Sequence, residues 1–214
     1  MSATIAALSV APVALGWAVH SIVWRRRIAA ARRDPLTGLP TRAPFEAQAP
    51  RLLAAGTAVL VIDLDSFKAL NDRHGHAAGD AALITVAHVL AATAAVMDDC
   101  AARLGGDEFV LALPIQHPDD LPFELASLHA WLCEPFTFEG KSVSVGASIG
   151  AVMVGQGPVP PLDRLMRRAD EAMYAAKQTG AGWFIATDTT PALPTTNGRR
   201  AGRRGTAGGS EAAA

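Results

Sequence analysis

The sequence predicts an α/β (α+β) domain, a central and mainly antiparallel sheet flanked by helices. Three features point there. Between residues 34 and 186, short β-branched runs alternate with longer stretches of helical period. Two of the short runs are joined through Gly105-Gly106, a hairpin signal because glycine tolerates positive φ. A chain of 214 residues can bury one core with appendages, but not two full-sized domains.

In chain order, Thr41 to Ala55 reads as a helix with Pro44 in its first turn, where a missing N–H is tolerated. Ala58 to Asp63, AVLVID, is an apolar run of strand length. Leu83, Val86, Val89 and Leu90 recur at helical spacing and predict a helix from about Gly79 to Val96. Ala101 to Leu104 and Glu108 to Leu113 form the hairpin. A helix follows near Asp119 to Cys133, then a turn at Glu139-Gly140 and a strand alternating from Ser142 to Val154. Leu162 to Gln178 is a helix stopped by Gly180, and Trp183 to Ala186 is the last strand.

The two ends differ from this middle. From Ala3 to Trp24 there are 22 residues without a charge, which as a helix would reach about 33 Å, the thickness of a bilayer core. The arginines at 25, 26 and 27 follow the run rather than precede it, which argues against a cleaved signal peptide. We therefore expect residues 1–24 to be a transmembrane helix, with Pro12 and His20 as its weak points and a buried helix as the alternative. The positive-inside rule places the N-terminus outside and everything from Arg25 onward in the cytoplasm, a single-pass protein of the cell membrane. Residues 25–33 read as a basic linker. Residues 187–214, rich in Thr, Pro, Gly, Ala and Arg, lack the apolar periodicity of a folded segment and read as a disordered tail.

The net charge of −1 conceals an acidic middle, with 18 Asp and Glu against 10 Lys and Arg from Asp34 to Ala186. That balance disfavours nonspecific binding to nucleic acid or anionic lipid, and a triphosphate held there would need metal cations between it and the carboxylates. Cys100 and Cys133 form no CxxC pair or zinc spacing, so both read as reduced, buried, small apolar residues.

Two acidic loops at strand ends carry the chemistry. Asp63-Leu64-Asp65-Ser66-Phe67-Lys68 follows the apolar strand directly, and Gly105-Gly106-Asp107-Glu108-Phe109 spans the hairpin turn. If the two strands are sheet neighbours, Asp63 and Asp107 converge at one edge as a hard-oxygen site suited to Mg²⁺. Such a site orients a triphosphate and lowers the pKa of an attacking hydroxyl. Each loop by itself also fits an ordinary solvated turn; the spacings of the whole set decide.

DPLTGLPTR (Asp34 to Arg42), DLDSFKALNDRHGHAAGD (Asp63 to Asp80), RLGGDEF (Arg103 to Phe109) and ADEAMYAAKQTG (Ala169 to Gly180) resemble, in order, the signatures of the GGDEF family. The resemblance covers about 150 residues and implies a fold like the palm of polymerases and class III nucleotide cyclases. It implies a diguanylate cyclase, which condenses two GTP into cyclic di-GMP across a homodimer with Mg²⁺ or Mn²⁺. By position, Asp63, the Leu64 carbonyl and Asp107 look like the metal ligands. Asp107 is also the position assigned as proton acceptor, a task Glu108 takes if Asp107 is held by the metal. Asn71 and Asp80 match the residues that bind the guanine edge, and a carboxylate there accepts the N1 and N2 hydrogens that adenine does not offer. Asp80 thus argues for GTP over ATP and against a mixed guanine and adenine product. Helix capping is the other reading of Asp80 and of Asn71. The N–H groups of Phe67 and Lys68, with the side chains of Lys68 and Lys177, match the phosphate contacts; Lys177 also suits the C-terminal dipole of its helix. His76 stands where a further substrate contact is found, or serves the turn structurally.

The chain departs from the family pattern in three places. Ala181 stands where a phosphate-binding arginine is common. Val96-Met97-Asp98-Asp99 replaces the RxxD of the product-inhibition site, so no inhibitory site is expected. Thr41 replaces an asparagine in the first motif, a mild change in a turn. The first departure raises the alternative of a weak or inactive module that binds GTP and signals through a partner.

Overall fold

The computed structural model describes residues 32–95 and 101–187, together with Trp17, His20, 195–196 and 199–200. The expected membrane span, the Val96–Asp99 segment, Cys100 and most of the linker and tail lie outside the described residues. Within the tail read as disordered, Thr195–Thr196 pairs antiparallel with Arg199–Arg200.

Five strands form the main sheet: β1 (Thr57–Asp65), β2 (Ala101–Gly105), β3 (Glu108–Pro114), β6 (Gly146–Met153) and β7 (Trp183–Ile185), in the order β2-β3-β1-β6-β7. All pairings are antiparallel except β6 with β7. β4 (Phe136–Phe138) and β5 (Lys141–Val143) make a separate hairpin. The helices are α1 (Arg42–Gln48), α2 (Phe67–His74), α3 (His76–Ala94), α4 (Leu121–Leu132) and α5 (Leu162–Thr179).

β1 is the central strand, and its parity sorts the core into two layers. Ala58, Leu60, Ile62 and Leu64 pack with residues of α3 and α4 such as Leu83, Leu90 and Leu125. Val59 and Val61 pack on the other face with Phe45 of α1 and Leu165, Ala169 and Met173 of α5. A strand covered on both faces must be apolar at every position, which is why AVLVI shows no alternation. The same parity sends Asp63 and Asp65 toward the α5 side. Gly150 in β6 sets the height of α5: a Cβ there would meet the Ala169 carbonyl and the Met173 nitrogen at 2.0 Å each.

Four expectations are corrected. The helix expected from Thr41 to Ala55 ends at Gln48 and gives way to a 3₁₀ turn, Ala49–Arg51, because Pro50 has no N–H to continue the ladder. The helix expected from Gly79 starts at His76 and is preceded by a separate helix, α2, across Gly75 at φ 84. The strand expected from Ser142 to Val154 is divided into β5 and β6. Cys133, expected to be buried, is half-buried. The Glu139-Gly140 turn stands as expected, with both residues at positive φ (47 and 74). Among the described residues, α3 is the one helix long and apolar enough to cross a membrane. It is a core helix, with Ala82, Leu83, Val86 and Leu90 buried against the sheet.

Candidate active site

The register of β1 against β3 sets the carboxylate end of the site. Asp63 lies directly across from Glu108, and the Leu64 N–H donates to the Asp107 carbonyl at 3.2 Å. Directly opposed residues in an antiparallel pair share a face. Glu108 therefore shares the Asp63 side of the sheet, while Asp107 arrives from the turn. Asp63 is buried, 4% exposed, and Asp107 and Glu108 are half-buried. All three reach the same sheet end, as their two loops predict, with Glu108 nearer in register than a reading centred on Asp107 anticipates.

The turn between β2 and β3 needs its two glycines. Gly105 and Gly106 have φ of 141 and 56, and the β2–β3 register slips between Arg103 and Gly105, leaving Leu104 as a bulge. Arg103 holds this turn from below. Its Nε and Nη2 donate to the Gly106 carbonyl at 3.0 and 2.6 Å, and its Nη1 donates to Asp34 Oδ1 at 2.8 Å. The Thr37 N–H and hydroxyl also donate to Asp34 Oδ1, at 2.9 and 2.7 Å. Burial would raise the Asp34 carboxyl, but the hydrogen bonds from Thr37 and Arg103 outweigh it and hold the group below the ordinary carboxylate range. The first and third sequence signatures are thus one structural unit. Thr41 precedes α1 without capping it, and its hydroxyl reaches the Arg32 carbonyl at 3.4 Å.

Lys177, in the last turn of α5, pairs through Nζ with Asp63 Oδ1 and lies 3.9 Å from Asp65 Oδ1. Its ammonium faces these carboxylates, so its position is not explained by the helix dipole alone. Ser148, across from Asp63 on β6 and 2% exposed, donates its hydroxyl to Asp65 Oδ1 at 2.8 Å. Ser148 is absent from the sequence reading. Its one signal there is a hydroxyl within an apolar strand, which is common and unspecific.

A cavity of about 490 Å³ opens beside this group, bounded by Asp65, Ser148, Lys177, His129 and the Gly180–Gly182 loop. The loop brings one methyl group, that of Ala181. Gly182 packs closely against the His129 ring, where a Cβ would come within 2.6 Å of Nε2. The same Nε2 is 3.6 Å from Cys133 Sγ. Burial, with the Asp65 charge adding to it, pushes the Cys133 thiol up against the lowering effect of the Ala147 backbone, so it is poorly suited to act as a nucleophile.

Between β1 and α2, Ser66 adopts φ 54 and ψ 27, the left-handed region, and turns the chain so that Phe67 and Lys68 begin the helix. The first N–H groups of a helix have no intrahelical partner and suit an anion. Lys68 is exposed and Phe67 half-buried. Asn71 lies against the first turn of α3: a Cβ on Gly79 would be 2.0 Å from Asn71 Oδ1. Asn71 therefore sits beside the residue that precedes Asp80. Asp80 is exposed in the second turn of α3, whose N-cap is Gly75, so the capping reading of Asp80 is excluded. His76 is the first residue of α3 and is exposed.

Among the described residues, no group of three or more His, Cys, Asp and Glu side chains forms a metal cage. The donors present are nevertheless hard oxygens, and Lys177 already places a cation on Asp63. That set fits Mg²⁺ or Mn²⁺, which bind through one or two carboxylates and complete their shell with substrate phosphates.

Residues 31–182 match the family model for the diguanylate cyclase, GGDEF domain. An uncharacterised 19.3 kDa protein of Streptomyces ambofaciens is 48% identical over 165 residues, 76% of this chain and 87% of that protein. The bifunctional diguanylate cyclase/cyclic di-GMP phosphodiesterase MucR of Pseudomonas aeruginosa is 38% identical over 167 residues, 75% of this chain and 24% of MucR. The solved GGDEF domain of TpbB from P. aeruginosa matches with a TM-score of 0.64 and 36% identity, covering 72% of this chain and 94% of that one. The GGDEF domain of DgcB from Caulobacter crescentus, solved in complex with c-di-GMP, gives 0.65 and 28%, covering 73% and 93%. The signatures, the sheet order and these likenesses agree, and the chain belongs to the GGDEF, or diguanylate cyclase, family.

Proposed function

We propose that the protein is a diguanylate cyclase that condenses two GTP into cyclic di-GMP and two pyrophosphates. The observation that carries this reading is the β1–β3 register, which brings Asp63 and the Asp107-Glu108 pair to one sheet end beside Lys177.

In the proposed mechanism, Asn71 and Asp80 hold the guanine edge, and the N–H groups of Phe67 and Lys68 with the Lys68 and Lys177 side chains hold the triphosphate. Asp63, the Leu64 carbonyl and Asp107 would hold Mg²⁺ or Mn²⁺, which when bound would supply charge stabilisation at the leaving oxygens. Glu108 accepts the proton of the ribose 3′-hydroxyl as that oxygen bonds to the α-phosphorus of the facing GTP and the bond to pyrophosphate breaks. One domain holds one nucleotide, so two domains must face each other. Most of the acceleration comes from positioning and electrostatics. In the same reading the N-terminal helix tethers the domain to the cytoplasmic face of the membrane, and His76 contacts substrate.

Ala181 favours a second reading, a module that binds GTP without turning it over. Incubating the full chain with GTP and Mg²⁺ and resolving the products by chromatography separates the two. Cyclic di-GMP is expected; folded, dimerised protein that binds GTP and releases no pyrophosphate establishes the second reading instead.

A further inference from the structure

We infer that Lys177 is the resident counter-ion of Asp63 in the nucleotide-free protein, and that it must leave Asp63 before a divalent cation can bind there. The inference rests on the proposed metal and triphosphate roles of this site and adds an order of events to them.

Asp63 is almost fully enclosed, its side chain 5% exposed. Enclosing a carboxylate is costly unless it is paired or hydrogen-bonded. Lys177 supplies the cation from α5, whose closeness to β6 is fixed by Gly150. The lysine is not enclosed in the same way. Its side chain is 39% exposed, it stands in the last turn of the helix, and the cavity bounded by Gly180–Gly182 opens beside it. The Lys177 ammonium therefore has two destinations within reach of one flexible stem, the Asp63 carboxylate and an anion in the cavity.

A triphosphate in the cavity offers more negative charge than Asp63 and draws the ammonium across. Asp63 is then a buried carboxylate without that partner, and the divalent cation that accompanies the triphosphate replaces the lysine. Without nucleotide the lysine and the divalent cation compete for the same oxygens. Nucleotide and divalent cation thus enter as one unit, and a cation-loaded, nucleotide-free state is scarcely populated.

The test measures Mn²⁺ binding to the detergent-solubilised full chain without nucleotide, by the electron paramagnetic resonance signal of free Mn²⁺. Lys177→Met is expected to bind Mn²⁺ at least about tenfold more tightly than wild type. Lys177→Arg, which keeps the competing charge, is expected to stay as weak as wild type. Adding α,β-methylene-GTP should raise Mn²⁺ affinity strongly in wild type and much less in Lys177→Met. Equal Mn²⁺ affinity in wild type and Lys177→Met, lost from both on Asp63→Asn, overturns the counter-ion role and leaves the metal site standing. Mn²⁺ binding indifferent to Asp63→Asn in every background overturns the metal site itself, and the inference with it.

Discussion

Asp63 and Glu108 are locked together by the β1–β3 register, Gly105-Gly106 are pinned by Arg103, and Asp34 anchors Arg103 in turn. Across the cavity, Gly180 to Gly182 contribute backbone and one methyl group, and the nearest bonded side chains there are His129 and Cys133 at 3.6 Å. The carboxylate end is over-determined, since several independent interactions fix each backbone position. The cavity end is sparse: among its lining residues, Lys177 is the one basic side chain apart from His129. Changes at the first end should destroy chemistry or stability, whereas the second end has room for gain.

The largest effect is expected from Asp107→Asn and Asp63→Asn. Each keeps the size of its side chain and removes the charge, so the fold should survive, with a melting temperature lowered in Asp63→Asn by the loss of the Lys177 pair. Cyclic di-GMP formation should fall at least about a hundredfold, the scale of losing one preorganised electrostatic contact in an active site. Initial rates on dimerised protein measure this. A loss below tenfold in Asp107→Asn, with a large loss in Glu108→Gln, would transfer the leading role to the residue that the register sets across from Asp63.

Arg103→Ala attacks the scaffold rather than the chemistry. It removes charge-assisted hydrogen bonds to Asp34 and to the Gly106 carbonyl, a loss of about 2 kcal/mol in folding free energy. The pH dependence has a definite sign. The folded Asp34 carboxyl lies below its ordinary value, so its contribution is full above about pH 4 and is lost as pH falls through the folded value. Urea midpoints between neutral and acid pH should show Arg103→Ala less stable at pH 7, with a flatter decline below about pH 4. Parallel curves for the two proteins would mean that Asp34 is held by Thr37 alone.

The sequence made the over-determined end legible and the sparse end much less so. Asp63, Asp107 and Glu108 are announced by polar residues interrupting an apolar strand and by a double glycine, both local signals. Register is not local: that Glu108 rather than Asp107 opposes Asp63 shows only once β1 and β3 are paired. α2 escaped because FKALNDRH is short and mostly polar, and its start depends on Ser66 adopting a left-handed conformation. Ser148 and His129 come from elements remote in sequence from the motifs, and nothing in their own neighbourhoods marks them.

Ala181→Arg tests the sparse end directly. Ala181 is exposed, so an arginine fits without displacing the core. A guanidinium there adds a charge-assisted contact to the triphosphate, and the KM for GTP should fall about tenfold while kcat changes little. Steady-state kinetics in GTP decide it. An unchanged KM would mean that the loop already supplies full phosphate binding through its backbone and His129.

The smallest effect is expected where the two ends meet, at Ser66. Its left-handed backbone costs about 1 kcal/mol relative to glycine, and glycine gives back about 0.5 to 1 kcal/mol through the entropy of its unfolded chain. Ser66→Gly should therefore leave the melting temperature within a few degrees of wild type. The ladder holds Asp65 on one side and helix α2 begins at Phe67 on the other, so the N–H groups of Phe67 and Lys68 keep their direction. The KM for GTP should then change by less than about twofold, because no charged contact is lost. A tenfold rise in KM with unchanged stability would show that the Ser66 hydroxyl itself contacts the nucleotide. In that case the sparse end gains a ligand that its position at the rim of the cavity already allows.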